Sequence, residues 1–156
     1  MTLRHRNFIL TAACAAMLAT IACASAPPKP ARTRLTLAAT ADLNPDVKGE
    51  PRPVVIRLYQ LRADTAFNEA DYFALLDDEK KVLGADLIDR AEYTVAPSEK
   101  RTMEFDVSAE AKFVGIMAGY RDFRNAQWRT IVQAPLRKDD VTVAVERARV
   151  VFSVPD

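Results

Sequence analysis

The sequence has very few of the side chains on which most catalytic and metal sites depend. Its 156 residues include one histidine, His5, and two cysteines, Cys14 and Cys23. All three lie within the first 23 residues. Beyond Cys23, the chain therefore supports neither Ser-His-Asp nor Cys-His catalysis, and no zinc site with His or Cys ligands. Only four glycines are present, and none belongs to a glycine-rich phosphate loop.

The chain also lacks an excess of charge of either sign. It carries 22 Lys and Arg residues against 21 Asp and Glu residues, a formal net charge of +1. This balance argues against a general electrostatic attraction to nucleic acid or to anionic lipid. The acidic clusters 77–79 and 139–140 lack the spacing of a Ca²⁺-binding loop, and we expect solvated turn or helix-end residues there. We therefore predict no metal site and no enzyme activity.

No apolar run is long enough to cross a membrane comfortably. Residues 8–22 are almost entirely apolar, and as a helix they would span about 22 Å of a roughly 30 Å hydrocarbon layer. Arg4 and Arg6 precede this run, and small residues end it. This order of a positive segment, a short apolar segment and small residues is typical of a secretory signal peptide. We predict a signal peptide at residues 1–22.

The residues around Cys23 are similar to a bacterial lipobox, where signal peptidase II cuts just before a cysteine that carries a diacylglyceryl group. Ile21 and Ala22 precede Cys23 and Ala24 follows it, whereas Thr20 stands where leucine is usual. We predict a covalent diacylglycerol and an N-acyl lipid on Cys23, with no other cofactor. An unpaired cysteine in an oxidising compartment also favours acylation. The alternative is an ordinary signal peptide with an incidental cysteine.

The predicted processing divides the chain into three parts. Removal of 22 of the 156 residues leaves a mature chain of 134 residues. Residues 23–34 are proline-rich and lack periodicity, which predicts a flexible tether. Residues 35–156 are long enough for one domain with its own core. In lipoproteins as a class, Asp after the acylated cysteine favours the inner membrane, so Ala24 implies the outer membrane.

From about Leu35 onward, apolar residues repeat mostly with a period of two, which predicts β-strands. The clearest candidate strands are 54–61, 102–107, 112–120 and 141–145. Residues 112–120 are nearly all apolar, so we expect a central strand that is covered on both faces. The apolar phase slips between Val145 and Val150, which indicates either a bulge or a tight turn.

One segment, residues 65–83, has helical spacing instead. Its apolar positions are Phe67, Ala70, Phe73 or Ala74, and Leu76. Either Asp64 or Asn68 caps the predicted helix, and Gly84 ends it. A single helix among seven or eight short strands predicts a mainly β fold, a two-sheet sandwich with one helix on one side. We expect Phe67 and Phe73 to be core contacts rather than parts of a ligand site.

Two motifs resemble those of a known family. The helix motif comprises Phe67, Ala70, Asp71, Tyr72, Phe73 and Leu75. The block VGIMAGYRDFRNAQWRT, residues 114–130, contains Arg121, Asp122, Trp128 and Arg129. Together with the lipobox, these motifs resemble the TssJ family of type VI secretion lipoproteins, which includes VasD and SciN. The resemblance covers about residues 34–154.

The resemblance implies a transthyretin-like β-sandwich with an added helix, held on the outer membrane by its lipid and facing the periplasm. It also implies that the domain binds and stabilises the periplasmic region of an inner-membrane protein, TssM, within the secretion complex. The family's partner-binding loop lies between the first two strands. It corresponds here to Asn44, Pro45, Asp46, Val47, Lys48, Gly49 and Glu50. No nucleic acid and no small-molecule substrate are implied.

Two other functions remain open at this point. A periplasmic lipoprotein could bind a small ligand in its sandwich, which would require a concave apolar pocket. A carboxylate-based enzyme would require paired buried carboxylates in a cleft. Arg121, Asp122 and Trp128 also have two interpretations, because Trp and Arg are frequent interface anchors. We expect a structural role, with Trp128 packed into the sandwich and Arg121 and Asp122 fixing a turn.

Overall fold

A computed structural model of the protein describes residues 30–134, 136 and 140–153. The predicted signal peptide, Cys23 with its lipid, most of the predicted tether, and Asp139 lie outside these residues. None of the helices within the described ranges is both long and apolar enough to cross a membrane.

The described residues form two four-stranded sheets packed face to face, which confirms the mainly β sandwich. The first sheet has the order β4-β1-β7-β8 and the second sheet has the order β3-β2-β5-β6. Strands β1 and β7 pair in parallel, and all other neighbours are antiparallel. The strands are β1 Ala31–Ala39, β2 Val54–Leu61, β3 Leu87–Val95, β4 Lys100–Val107, β5 Phe113–Ala118, β6 Arg129–Gln133, β7 Asp140–Val145 and β8 Val150–Ser153.

Strand β1 begins earlier than the sequence suggested. Residues 31–34, which we assigned to the tether, are already paired with β4. Thr33 is buried together with Leu35 and Leu37 on the face that meets the second sheet. The alternation of buried and exposed residues was missed at Thr33, because threonine is polar and was not counted as an apolar position.

The predicted single helix at 65–83 is wrong, because the segment forms two helices. Helix α1 spans Thr65–Glu69 and helix α2 spans Tyr72–Leu83, with a kink at Asp78, whose φ of −147° and ψ of 59° are not helical. Ala70 between them is extended, and the Asp71 side chain accepts a hydrogen bond from the Ala74 N–H at 2.9 Å. Asp71 is therefore the cap of the longer helix. The chain leaves α2 at Gly84, as predicted, with a positive φ of 50°.

The break between the helices changes which side chains face the sheet. Phe67 of α1 is fully buried and lies against Gly115, where an added Cβ would be 3.0 Å from the Phe67 ring. Because α2 begins anew at Tyr72, Tyr72 and Leu75 point inward. Phe73, which we expected in the core, is instead 52% exposed.

A tight turn connects the last two strands and resolves the phase slip. Val145 pairs directly with Val150, and the Glu146 N–H donates to the Arg149 carbonyl at 2.8 Å. No bulge is needed, because four residues reverse the chain.

The strand directions place the loops at two ends of the sandwich. Because β1 runs from Ala31 to Ala39, the loop that follows it lies at the end far from Ala31. We call this end the loop pole; it comprises residues 40–53, 96–99, 119–128 and 146–149. The opposite end, the N-terminal pole, includes residues 62–64, 84–86 and 108–112.

Candidate functional site

The loop between β1 and β2 is organised around the carboxylate of Asp46. Oδ1 of Asp46 accepts hydrogen bonds from the backbone N–H groups of Lys48 and Glu50 at 2.8 and 3.1 Å. The Gly49 N–H donates to the Asp46 carbonyl at 2.9 Å, and Gly49 has a φ of 84°, which favours glycine. Loop 44–50 therefore has a defined shape without a partner.

An arginine completes this arrangement. Nε and Nη2 of Arg52 donate to Oδ2 of Asp46 at 3.0 and 2.5 Å. The Arg52 hydrogen bond, followed by that from the Lys48 N–H, holds the pKa of the Asp46 carboxyl below its usual value. Val47 lies at the tip and is 91% exposed. The loop thus presents an isolated apolar side chain on a hydrogen-bonded frame.

Asn44 joins loop 44–50 to two other segments of the loop pole. Its backbone N–H donates to the Arg147 carbonyl at 3.0 Å. Its side chain donates to the Pro53 carbonyl at 2.9 Å and accepts from the Arg121 N–H at 2.9 Å. Asn44 is buried and has a φ of 45°, a conformation that asparagine adopts more readily than most residues. Loops predicted separately therefore form one surface.

A surface cleft of about 430 Å³ lies where these segments meet. Its lining includes Asp46, Val47, Arg121, Asp122 and Arg147. Four of the nine lining residues are charged, so the cleft has a mixed lining rather than the wholly apolar one that the small-ligand alternative requires.

Loop 119–128 is held partly by Asp122, whose side-chain oxygens accept from Asn125 Nδ2 at 3.0 and 2.9 Å. The Asn125 N–H also donates to the Asp122 carbonyl at 3.2 Å. Arg121 contributes its backbone N–H to Asn44, while its side chain is exposed. Asp122 thus lies where it stabilises the turn, whereas the Arg121 side chain is available to a partner.

Four aromatic side chains pack together beside this loop. The Tyr72 and Phe123 rings stack with centroids 4.5 Å apart, and Trp128 meets Tyr72 edge-on at 5.2 Å. Phe73 meets Phe123 at 4.9 Å, so its exposed ring forms the rim of the cluster. The Tyr72 hydroxyl donates to the Tyr120 carbonyl at 3.1 Å. Trp128 is half-buried and contacts both hydrophobic cores.

These motifs belong to a family whose sequence profile matches the chain. The family described as "Type VI secretion lipoprotein, VasD, EvfM, TssJ" matches residues 31–148. The chain belongs to this TssJ family. The matched range includes loop 44–50, both helices and loop 119–128. The family is a structural component of type VI secretion rather than a known enzyme family.

Solved structures show the same fold. The chain is 33% identical to the type VI secretion lipoprotein TssJ1 from Pseudomonas aeruginosa, with a TM-score of 0.76 and coverage of 81% of this chain and 98% of that one. Lip from Serratia marcescens, described as a membrane-bound component of the type VI secretion system, is 24% identical, with a TM-score of 0.73 and coverage of 81% and 99%.

A third match is a chain in a structure described as the TssM C-terminal domain from EAEC. It is 23% identical, has a TM-score of 0.67, and the alignment covers 80% of this chain and 98% of that one. A search of the curated proteins returned no significant match.

Arg129, in the second family motif, has a structural contact that sequence reasoning missed. Its Nη1 donates to the carbonyls of Phe67 and Ala70 at 2.9 and 2.6 Å. These carbonyls lie at the end of α1, where the helix itself offers no donors. Burial lowers the pKa of the Arg129 guanidinium. The Arg129 side chain also lies over the Trp128 ring, 4.7 Å from its centroid. Arg129 thus joins the two family motifs.

The expectation that the acidic cluster 77–79 is solvated is wrong for Glu79, whose side chain is only 11% exposed. Oε2 of Glu79 accepts from Arg57 Nη1 at 3.0 Å and from the Tyr59 hydroxyl at 3.1 Å, and Oε1 lies 2.7 Å from Arg90 Nε. Arg57 also donates to the carbonyls of Leu75 and Leu76. Over the described ranges, no three metal-ligating side chains cluster. Glu79 therefore fixes α2 to the sheet.

Proposed function

We propose that this TssJ-family lipoprotein is anchored to the outer membrane through a lipid on Cys23 and binds the periplasmic region of a TssM-type inner-membrane protein. The observation that carries the proposal is the loop pole. Loop 44–50 keeps its shape through Asp46, and it presents Val47 almost fully exposed. A preorganised loop loses little conformational entropy on binding.

The position of β1 agrees with a membrane anchor at Cys23. Ala31, the first residue of β1, follows Cys23 by eight residues (31 − 23). Eight extended residues reach at most about 29 Å, so the N-terminal pole would stay close to the membrane. Loop 44–50 would then face away from the membrane, toward a protein that crosses the periplasm from the inner membrane. A chain with a similar fold lies in the structure described as the TssM C-terminal domain, and this supports the same class of partner.

Binding is tested with the mature lipoprotein, solubilised in detergent, titrated against the periplasmic region of the TssM-type protein from the same organism. We expect binding at micromolar concentration or tighter, of about −8 kcal/mol or stronger. Val47→Asp should weaken it at least about tenfold, because a charge at the centre of an interface must be desolvated. Ala85→Asp, an exposed substitution at the N-terminal pole, is the matched control.

The possible outcomes test the assignment of the interface and the proposed function independently. Loss of binding in Val47→Asp with an unchanged melting temperature supports loop 44–50 as the contact. If Val47→Asp still binds, the TssM-type protein remains the partner but the interface lies elsewhere. Loop 119–128 is then the next segment to be tested. If the unaltered lipoprotein does not bind, the scaffold function is refuted and a small-ligand function becomes the leading alternative.

The anchor is tested separately by labelling cells with radioactive palmitate and separating their membranes. We expect label in the protein and recovery with the outer membrane. Cys23→Ala should abolish both, whereas Cys14→Ala should leave both unchanged. Label that persists in Cys23→Ala would place the lipid elsewhere.

A further inference from the structure

Two arginines reach the same cleft because Asn44 holds the backbone of both. The Asn44 side chain accepts from the Arg121 N–H, and the Asn44 N–H donates to the Arg147 carbonyl. Arg121, Arg147 and Val47 are all among the residues that line the cleft. Loops far apart in sequence are thus fixed so that two arginines and one apolar residue border the same space.

The two carboxylates at the cleft already have hydrogen-bond donors of their own. The Asp46 carboxylate takes its hydrogen bonds from Arg52 and two backbone N–H groups. The Asp122 carboxylate accepts from Asn125 through both oxygens. The Arg121 guanidinium has no hydrogen bond or ion pair with any residue that the structure describes.

Arg147 has only a weak partner. Its Nη1 lies 3.8 Å from Oδ2 of Asp42, and both side chains are more than half exposed, at 60% and 57%. An exposed ion pair of this length contributes little, and its geometry leaves the guanidinium's other donors free. The cleft therefore offers the Arg121 guanidinium, which has no ion pair among the described residues, and the Arg147 guanidinium, whose one ion pair is long and exposed.

We propose that this cleft binds a carboxylate side chain of the TssM-type partner, with an apolar partner residue packed on Val47. The inference rests on the proposed function and adds the chemistry of the partner's binding segment. Arginine suits this role because its planar guanidinium pairs with a carboxylate through two parallel hydrogen bonds. The segment is thus acidic, with an apolar residue nearby.

The test measures partner binding as a function of salt in the same detergent-solubilised lipoprotein. We compare the unaltered protein with a variant that combines Arg121→Gln and Arg147→Gln. Both positions are fixed through backbone atoms, so these substitutions leave the loop hydrogen bonds in place. Arg124→Gln is the matched control, because Arg124 is an exposed arginine of the same loop that lies over Phe123 and outside the cleft lining.

We expect the double variant to bind at least about tenfold more weakly at low salt, with a clearly smaller dependence on salt, since it lacks the charge-assisted contacts. Arg124→Gln should match the unaltered protein. Equal affinity and equal salt dependence in the double variant would overturn the carboxylate proposal. Val47→Asp would still weaken binding in that case, so the proposed function would stand. Absence of binding by the unaltered protein would refute the proposed function itself.

Discussion

The two sheets of the sandwich share a core but differ in what lies on their outer faces. Helices α1 and α2 cover the second sheet, where Tyr59, Phe67, Leu75 and Met117 form their own hydrophobic cluster. The outer face of the first sheet has no helix on it among the described residues and carries side chains such as Thr36 and Thr102, which share a hydrogen bond at 2.9 Å. A strand covered on both faces must be apolar throughout, whereas a strand with one open face alternates.

The two sheets make different contacts with the rest of the domain. Packing on the second sheet fixes the helices and, through Tyr72 and Arg129, the start and end of loop 119–128. The first sheet supplies β1 and its loop. Equivalent substitutions on the two outer faces should therefore have very different effects.

The largest difference is expected at the buried phenylalanine of the covered face. Phe67→Ala should lower the free energy of unfolding by about 3–5 kcal/mol, because it leaves a cavity between α1 and Gly115. Phe73→Ala, at the exposed ring of the neighbouring helix, should cost far less. Urea unfolding of both variants measures this, and equal losses would show that α1 does not seal the sheet.

The ion pairs of the two faces should also differ. Glu79→Gln removes charge from the carboxylate that meets Arg57 and Arg90, and should cost about 1.5–3 kcal/mol, as for hydrogen bonds to charged groups. Glu104→Gln removes the exposed pair with Arg32 on the open face, and should cost less than about 1 kcal/mol. Thermal and urea unfolding provide the measurement. A larger loss for Glu104→Gln would reverse the comparison.

Alkaline pH should affect the covered face through Tyr59. Burial, with the nearby Glu79 charge, raises the pKa of Tyr59 to about 12 from an ordinary value of 10.0. The folded protein therefore keeps this proton more tightly than the unfolded chain, so the stabilisation is complete below pH 10 and is lost as the pH rises toward 12. Stability should fall more steeply over this interval in the unaltered protein than in Tyr59→Phe. Parallel curves would contradict the burial of this hydroxyl.

The smallest effect is expected in the centre of the open face. Thr36→Val removes the hydrogen bond to Thr102, and should change the free energy of unfolding by no more than about 0.5 kcal/mol, since water can replace the lost contact. A loss several times larger, measured by urea unfolding, would mean that another surface covers this face in solution.

Much of the fold could be predicted because the apolar pattern of the sequence agrees with the burial of the same residues in the structure. Residues 54–61 were predicted as a strand with the bounds that β2 has, and the apolar 112–120 contain the central β5. Strand β3 was not identified; it lies at a sheet edge, and the consecutive exposed residues Asp89 and Arg90 interrupt its alternation.

The helix break has one local and one distant contribution. Asp71 caps α2 locally, whereas Arg129 satisfies the carbonyls at the end of α1 from about 60 positions downstream. The candidate site also depends on contacts between residues that are distant in sequence. Loop 44–50 could be located by its turn-forming residues, but its junction with Arg121 is a contact between residues 77 positions apart. Neither spacing nor composition carries that information.

The direction of β1 has a mechanical consequence. A pull on the chain before Ala31, with loop 44–50 held, acts along the axis of this strand. β1 is hydrogen bonded to β4 on one side and to β7 on the other. The hydrogen bonds to antiparallel β4 are perpendicular to the strands, and those to parallel β7 are slanted. A force along β1 therefore shears both rows of hydrogen bonds together instead of opening them one by one, so both rows resist tension between the two ends of the domain.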